Sequence, residues 1–264
     1  MQKNITIIGG GNLGTAIASG LIRKKFCSAK EITITKRNPE TLSELQKTGI
    51  TVTADNRSAV KNADIVILAV KPFQAKEVLE LIKDDYKTGK IVLCSVVTGY
   101  SLAQISESTP QHIALVRAMP NTAIAIGESM TCLCSPSIGN EEKIYIESLF
   151  NQLGKVVFIQ ETLMDAATVL GACGIAYALR FIRANIQGGI EIGFDAATAT
   201  LIAAQTVKGA AELLIQTGHH PEEEIDKVTT PKGCTIAGLN EMEHQGFSSS
   251  LIKGITVSYQ KIGK

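Results

Sequence analysis

The sequence predicts an α/β protein in which a doubly wound parallel sheet is followed by an all-helical half. Three observations predict it. The run Ile5-Thr-Ile-Ile8 ends in the glycine turn Gly9 to Gly14, and small and apolar residues at helical spacing follow. Short apolar strands then alternate with helical stretches to about residue 160, the pattern of crossover-linked parallel strands. Beyond Glu161 the strand signal stops, and two long segments rich in Ala, Ile and Leu take its place.

Composition bounds the answer. A chain of 264 residues with 45% hydrophobic and 19% charged residues is core-forming rather than disordered. A formal charge of +1 argues against nucleic acid as the main partner. No apolar run is read as approaching the roughly 20 residues needed to span a bilayer, and a strand within five residues of the start leaves no room for a signal peptide. Six cysteines lack paired CxxC or disulfide-scaffold spacing. Cys132 and Cys134 share one side of a strand and read as core thiols, so the expectation is a cytoplasmic protein with reduced thiols.

Gly9, Gly11 and Gly14 fit G-x-G-x-x-G between a strand and a helix, the context in which that motif means dinucleotide binding. Gly9 allows the tight turn, Gly11 lets the backbone approach a pyrophosphate, and Gly14 lets the helix sit close on its strand. The helix (about 12–24) then offers unpaired N–H groups and a positive dipole end to phosphates. A ligand-free glycine turn is the plain alternative, and the motif's place and flanks argue against it. A second strand, Glu31 to Thr35, leads into Thr35-Lys36-Arg37-Asn38, where an NAD-specific fold would carry an acid. Lys36 and Arg37 favour a 2′-phosphate, hence NADP, over a merely solvated basic turn.

Pro39 starts the next helix, and Ile50–Val52 is a short strand before Asp55 and Asn56. Asp64–Val70 is a continuous apolar strand, as a sheet covered on both faces requires, and it stops at Lys71-Pro72. A helix over 74–84, a strand over Lys90–Val97, a short helix from Ser101 and a strand over Ile113–Val116 follow. Strands at 130–134 and 155–159 flank a helix at 140–152. The first domain is therefore placed at 1–160.

In residues 161–264 the expected helices are Asp165–Ile192, Ala196–Thr217, a short acidic one at 222–228 after a turn at His219-His220-Pro221, one from Ile236 and one from about 248. Eight charged residues between 161 and 218 leave these helices apolar most of the way round. About 100 residues of helix have too little inside to bury such faces, which predicts an obligate homodimer over a compact monomeric bundle. Two loops, Gly171-Ala-Cys-Gly174 and Pro231-Lys-Gly-Cys-Thr235, combine small residues with helix starts that suit a small carboxylate. Thr235 adds a hydroxyl for a substrate nitrogen, with a simple N-cap as the alternative. His112, His219, His220 and His244 lie near element ends without triad or metal-like spacing, and no metal is expected.

The chain resembles the pyrroline-5-carboxylate reductases nearly end to end. Their I-G-x-G-N-M-G is Ile8-Gly9-Gly10-Gly11-Asn12-Leu13-Gly14, their A-V-K-P is Ala69-Val70-Lys71-Pro72, and their R-x-M-P-N-T is Arg117-Ala-Met119-Pro-Asn121-Thr122. Their D-A-V-T-x-L-S-G-S-G-P-A-Y corresponds to residues 165–177, and S-P-G-G-x-T-I to Thr230-Pro-Lys232-Gly233-Cys234-Thr235-Ile236. In these last two strings the chain departs: Gly171-Ala172-Cys173-Gly174-Ile175 replaces Ser-Gly-Ser-Gly-Pro, and Lys232 replaces a glycine.

The resemblance implies an N-terminal Rossmann-like domain, an all-α dimerisation domain over 161–264, and a homodimer that can build larger rings. It implies NADPH-dependent hydride transfer to a cyclic imine carboxylate, giving proline, with no protein nucleophile or metal. Thr235 would bond the ring nitrogen, and Ala172, Cys173 and Gly174, with Lys232, Gly233 and Cys234, would hold the substrate. Besides the glycine motif, Lys36 and Arg37, the cofactor would meet Asn56, the turn 69–72, Val97, Met119 and Asn121. A β-hydroxyacid dehydrogenase is the enzyme rival, but Tyr177–Asn185 has arginines where that family needs a lysine. A non-catalytic NADP sensor is the other alternative.

Overall fold

The computed structural model describes residues 3–87, 89–136 and 138–262. The chain divides into two compact units, Met1–Cys173 with Ile262–Lys264, and Gly174–Lys261.

The first unit is built on β1 (Ile5–Ile8), β2 (Ile32–Thr35), β3 (Thr51–Thr53), β4 (Ile65–Leu68), β5 (Val92–Ser95), β6 (Ala114–Met119), β7 (Ser129–Cys134) and β8 (Gly154–Phe158). They form one sheet in the order β3-β2-β1-β4-β5-β6-β7-β8. The reversal at β1, whose neighbours are β2 and β4, is the switch point of a doubly wound fold. β1, β4 and β5 are buried along their length, which is why they read as continuous apolar strings. Along β4, Ile65 and Ile67 enter one core with Ile17, Leu21 and Phe150, while Val66 and Leu68 enter a second with Leu79 and Ile105. Thr6, polar and buried in β1, donates its hydroxyl to Ala59 O at 2.7 Å.

The helices of this unit are α1 (Asn12–Arg23), α2 (Ser43–Lys47) after a 3₁₀ turn at Pro39–Leu42, α3 (Asn56–Val60), α4 (Pro72–Ile82), α5 (Leu102–Glu107), α6 (Asn140–Asn151) and α7 (Met164–Ala167). Asp55 opens α3 by accepting the Arg57 and Ser58 N–H groups.

Three expectations are corrected. The sheet is not wholly parallel: β7 runs antiparallel to β6, and β8 lies parallel to β7. The connection 120–128 is too short for a crossover, which takes about a dozen residues or more, and Gly127 at φ 79° turns it back. The helix expected over Asp165–Ile192 is interrupted by a π turn at Thr168–Cys173. The helical stretch Glu161–Glu191 is long and apolar enough to cross a bilayer by length and composition alone, with a mean hydropathy of 1.5, contrary to the expectation that no run approaches that size. Its first part is a packed element of the first unit, with Met164, Thr168 and Val169 buried there.

Cys94 and Cys134 are buried and Cys132 half-buried, and all six cysteines are unbridged. Burial pushes these three thiols up, so they stay protonated core groups.

The second unit comprises α8 (Gly174–Glu191), α9 (Ala196–Thr217), α10 (Pro221–Lys227), α11 (Cys234–His244) and α12 (Phe247–Lys261). α8 packs along α9 around Ile186, Ala199 and Ala203. Tyr177 of α8 and Ser258 of α12 share a hydrogen bond at 2.6 Å.

Candidate active site

The carboxyl ends of β1, β2, β4 and β5 meet at one level. The N–H groups of Gly9 and Gly10 both donate to Thr35 O, at 3.2 and 2.7 Å. Ala69 N–H donates to Ile8 O and Val96 N–H to Leu68 O. Above this edge lies a groove of about 870 Å³, at the switch point where an open α/β sheet binds ligands.

The glycines divide by what a side chain would meet. Gly9 has φ +113°, and a Cβ there would lie 2.4 Å from Ala69 O. At Gly14 a Cβ would lie 2.1 Å from Gly9 O, so this glycine seats α1 against its strand. Gly11 has no protein atom within 4 Å of its Cβ position. The fold does not need a glycine there, but a ligand pressed against the backbone would. Gly11 also caps α1 without a side-chain bond, and the first turn carries no acid. The helix start is therefore open to a pyrophosphate.

Charge points the same way. Lys36, Arg37 and Lys71 line the groove, and none of its lining residues is acidic. The carboxylate before Asn56, Asp55, is committed to its helix cap, and the bonds from Ser58, then Arg57, hold it below the usual range. These features fit a dinucleotide phosphate chain, so NADP can be held by the groove as it stands.

Of the residues assigned to the cofactor, the groove brings together Ile8, Gly9, Gly10, Gly11, Asn12 and Leu13 with Lys36, Arg37, Asn56 and the turn Ala69–Pro72. Gly14, Val97, Met119 and Asn121 do not line it. Val97 and Met119 are buried in the second core of the unit, and the neighbours Val96 and Thr98 line the groove instead. Asn121 is 8% exposed and bonds within the protein. Sequence reasoning missed Thr41, Ala54, Gln74 and Val78. Lys71, Gln74 and Val78 share one helix face at i, i+3 and i+7, a signal that could have found the last two.

Of the residues assigned to substrate, Ala172 and Cys173 are half-buried in the π turn, which runs without a break into α8 at Gly174; the expected loop with an unpaired helix start is instead continuous helix, whose ladder takes these N–H groups. In the second loop Gly233 N–H donates to Thr230 O at 2.9 Å and Gly233 is the N-cap of α11. Thr235 is thus the second residue of the helix rather than its cap, half-buried, and its hydroxyl bonds no protein atom among the described residues. Lys232 is exposed and sits at φ 61°, in the left-handed region that favours glycine. His219 bonds Glu224 at 2.7 Å and His220 caps α10. No metal-binding group of side chains occurs among the described residues.

Residues 4–98 match the family described as NADP oxidoreductase, coenzyme F420-dependent, and residues 161–264 match pyrroline-5-carboxylate reductase dimerisation. Pyrroline-5-carboxylate reductase 2 of Dictyostelium discoideum is 42% identical over all of this chain and 93% of its own length. The chain belongs to the pyrroline-5-carboxylate reductase family. Pyrroline-5-carboxylate reductase 1 of the same organism is 47% identical over 98% of the chain, which spans about half (49%) of that protein's length. A solved pyrroline-5-carboxylate reductase from Coxiella burnetii superposes with a TM-score of 0.91 at 31% identity, covering 99% of this chain and 98% of that one.

As a pyrroline-5-carboxylate reductase family member the chain is an NADP-using oxidoreductase, with an α/β cofactor domain and a helical half that forms a homodimer. In a single copy this half leaves apolar side chains open, among them Ile192, Leu201 and Ile215, which are 78%, 71% and 68% exposed. The β-hydroxyacid dehydrogenase and sensor alternatives are set aside by the full-length match.

Proposed function

We propose that the chain reduces 1-pyrroline-5-carboxylate to L-proline with NADPH. The observation that carries this reading is the groove at the β1/β4 switch point, whose open helix start and side-chain-free Gly11 fit a dinucleotide, in a chain of this family.

When bound, the nicotinamide cofactor supplies the hydride that the imine carbon needs. The chain's own residues do the rest. The backbone of Gly9–Asn12 and the α1 start hold the phosphates, Lys36 and Arg37 the 2′-phosphate, and Asn56, Val70 and Lys71 the remaining length of the cofactor. Ala172, Cys173 and Gly174 are the helical residues assigned to the substrate carboxylate, and Lys232, Gly233 and Cys234 are the substrate residues of the loop before α11. Thr235, whose hydroxyl is not spent on a cap, bonds the ring nitrogen. A protonated imine is already electrophilic, so orientation and electrostatics are enough and no protein nucleophile is required. Functionally the division falls at 160/161, although the packed unit extends to Cys173. The reaction is cytoplasmic, without nucleic-acid or membrane partners, and the dimers can assemble into a larger ring.

The test is NADPH oxidation with pyrroline-5-carboxylate beside pyrroline-2-carboxylate. Turnover of the first supports the reading; turnover of the second alone would mean that Lys232 and the Gly171–Ile175 changes redirect the substrate. Cofactor choice is tested by Arg37→Asp, expected to shift the NADPH-to-NADH rate ratio towards NADH by about tenfold or more. An unchanged ratio refutes the 2′-phosphate role.

A further inference from the structure

Asn121 is a buried amide that the cofactor groove does not use, and its hydrogen bonds run to the other end of the first unit's chain. It follows β6, and its own N–H donates to Ser129 Oγ at 3.0 Å. Its side-chain Oδ1 accepts the Ala123 N–H at 3.0 Å. Its Nδ2 donates to Gly171 O at 3.4 Å, across fifty positions of sequence. Ser129 Oγ in turn lies 3.3 Å from Thr131 Oγ1, which is fully buried. A buried amide is costly unless both its ends are bonded, so these partners fix its orientation.

The far end of this chain of bonds is the π turn Thr168–Cys173. A π turn closes i→i+5, and returning to the i→i+4 ladder of α8 leaves carbonyls without a regular partner. Little in the turn's own sequence holds it. Gly171 has no side chain, nothing lies within 4 Å of where one would be, and no proline restricts the backbone. Two outer ties do hold it: Thr168 Oγ1 donates to Met164 O at 2.8 Å, and Asn121 grips Gly171 O. The peptide plane makes the second tie directional, because the Gly171 carbonyl and the Ala172 N–H belong to one rigid trans unit. Fixing the carbonyl fixes that N–H, which is itself a rung of the i→i+5 closure, so the tie holds the turn in its π form.

We propose that Asn121 is a positioning residue for the substrate. Through Gly171 it sets the π turn, and with it the position of Ala172 and Cys173, the half-buried residues assigned to the substrate above. The substrate part of this inference rests on the function proposed above; the positioning of the turn does not.

Asn121→Asp tests it, because the carboxylate keeps the acceptor for Ala123 N–H but replaces the donor to Gly171 O with a second acceptor. Thr168→Val loosens the same turn from its other end without touching Asn121, and serves if the first variant does not fold. Hydrogen exchange of the 171–174 amides, the dissociation constant for NADPH, and KM and kcat for pyrroline-5-carboxylate are measured on both. The expected result is about tenfold faster exchange and about tenfold higher KM, the scale of one lost hydrogen bond, with kcat and NADPH affinity within about twofold. Weakened NADPH binding with unchanged exchange would make Asn121 a cofactor contact and overturn the proposal, as would no change in any quantity. If the parent enzyme does not reduce the imine, the proposed function fails, while exchange and NADPH binding still decide whether Asn121 positions the turn.

Discussion

The two units of this chain account for their apolar residues in different ways. In the first, both faces of the sheet are covered by the unit's own helices, and alternate residues of β4 are sealed into two separate cores. In the second, Ile186, Ala199 and Ala203 form a small buried cluster, while Leu201, Ile202, Leu213 and Ile215 of α9 remain open. The difference teaches where the structural unit ends. The cofactor half can be explained within one copy, whereas the helical half is explained by two.

The contrast breaks first in the second unit. Leu201→Glu places a charge on the open face of α9, which the dimer needs apolar. Dissociation to a monomer is expected, with a loss on the order of 3–5 kcal/mol in assembly free energy; sedimentation checks it, and a persistent dimer would move the interface off this face. The first unit is probed by two glycines of one motif that are physically opposite. Gly14→Ala drives a methyl group to 2.1 Å from Gly9 O and should destabilise by about 3 kcal/mol. Gly11→Ala meets no protein atom and should leave the melting temperature nearly unchanged while weakening NADPH binding by about tenfold. Equal effects on stability would remove the distinction between a packing glycine and a ligand glycine.

A smaller effect sharpens how the first unit ties its ends. Asp64, at the foot of β4, accepts the Asn4 N–H at 2.7 Å and pairs with Lys87. Burial alone would raise its pKa, but the bonds from Lys87 and Asn4 outweigh burial and hold it below the usual carboxylate value. A depressed folded pKa contributes stability above the unfolded value and loses it as pH falls through the folded one. Asp64→Asn should therefore cost about 1 kcal/mol at neutral pH, and its gap to the parent in urea unfolding should close on acidification below about pH 4. The smallest effect lies in the second unit. Lys232→Gly relieves a left-handed backbone at φ 61° and should stabilise by about 0.5 kcal/mol, strain relief less the added chain entropy. If the lysine holds a carboxylate, KM for the imine rises as the melting temperature does.

Much of the first unit was legible because its signals are local. Gly9 to Gly14, the buried string Ile65–Leu68 and the cations Lys36 and Arg37 each carry their reason in neighbouring residues. What was not legible depends on partners distant in sequence or on parity. Val97 was assigned to the groove, but in the segment just past β5 the side chains alternate, so Val97 is buried in the second core while Val96 and Thr98 line the groove. The π turn escapes because apolar spacing does not distinguish an i→i+5 closure from i→i+4 over one turn. The reversal of β7 follows from the length of a connection rather than from any residue within the strand. Asn121 was read as a cofactor residue from its motif, and nothing near it in sequence announces a bond to Gly171. For Thr235, spacing left the cap open as an alternative, and the structure gives that place to Gly233.

The open faces of α8 and α9 have a consequence for how the protein is made. A chain leaving the ribosome completes its sheet before α8 and α9 emerge, so their open apolar residues, such as Leu179, Leu201 and Ile215, meet water while the sister copy is still elsewhere. Productive assembly is then a collision between two chains, competing with clumping of the same surfaces. Refolding yield should accordingly pass through a maximum as concentration rises, with encounters too rare on one side and aggregation too fast on the other.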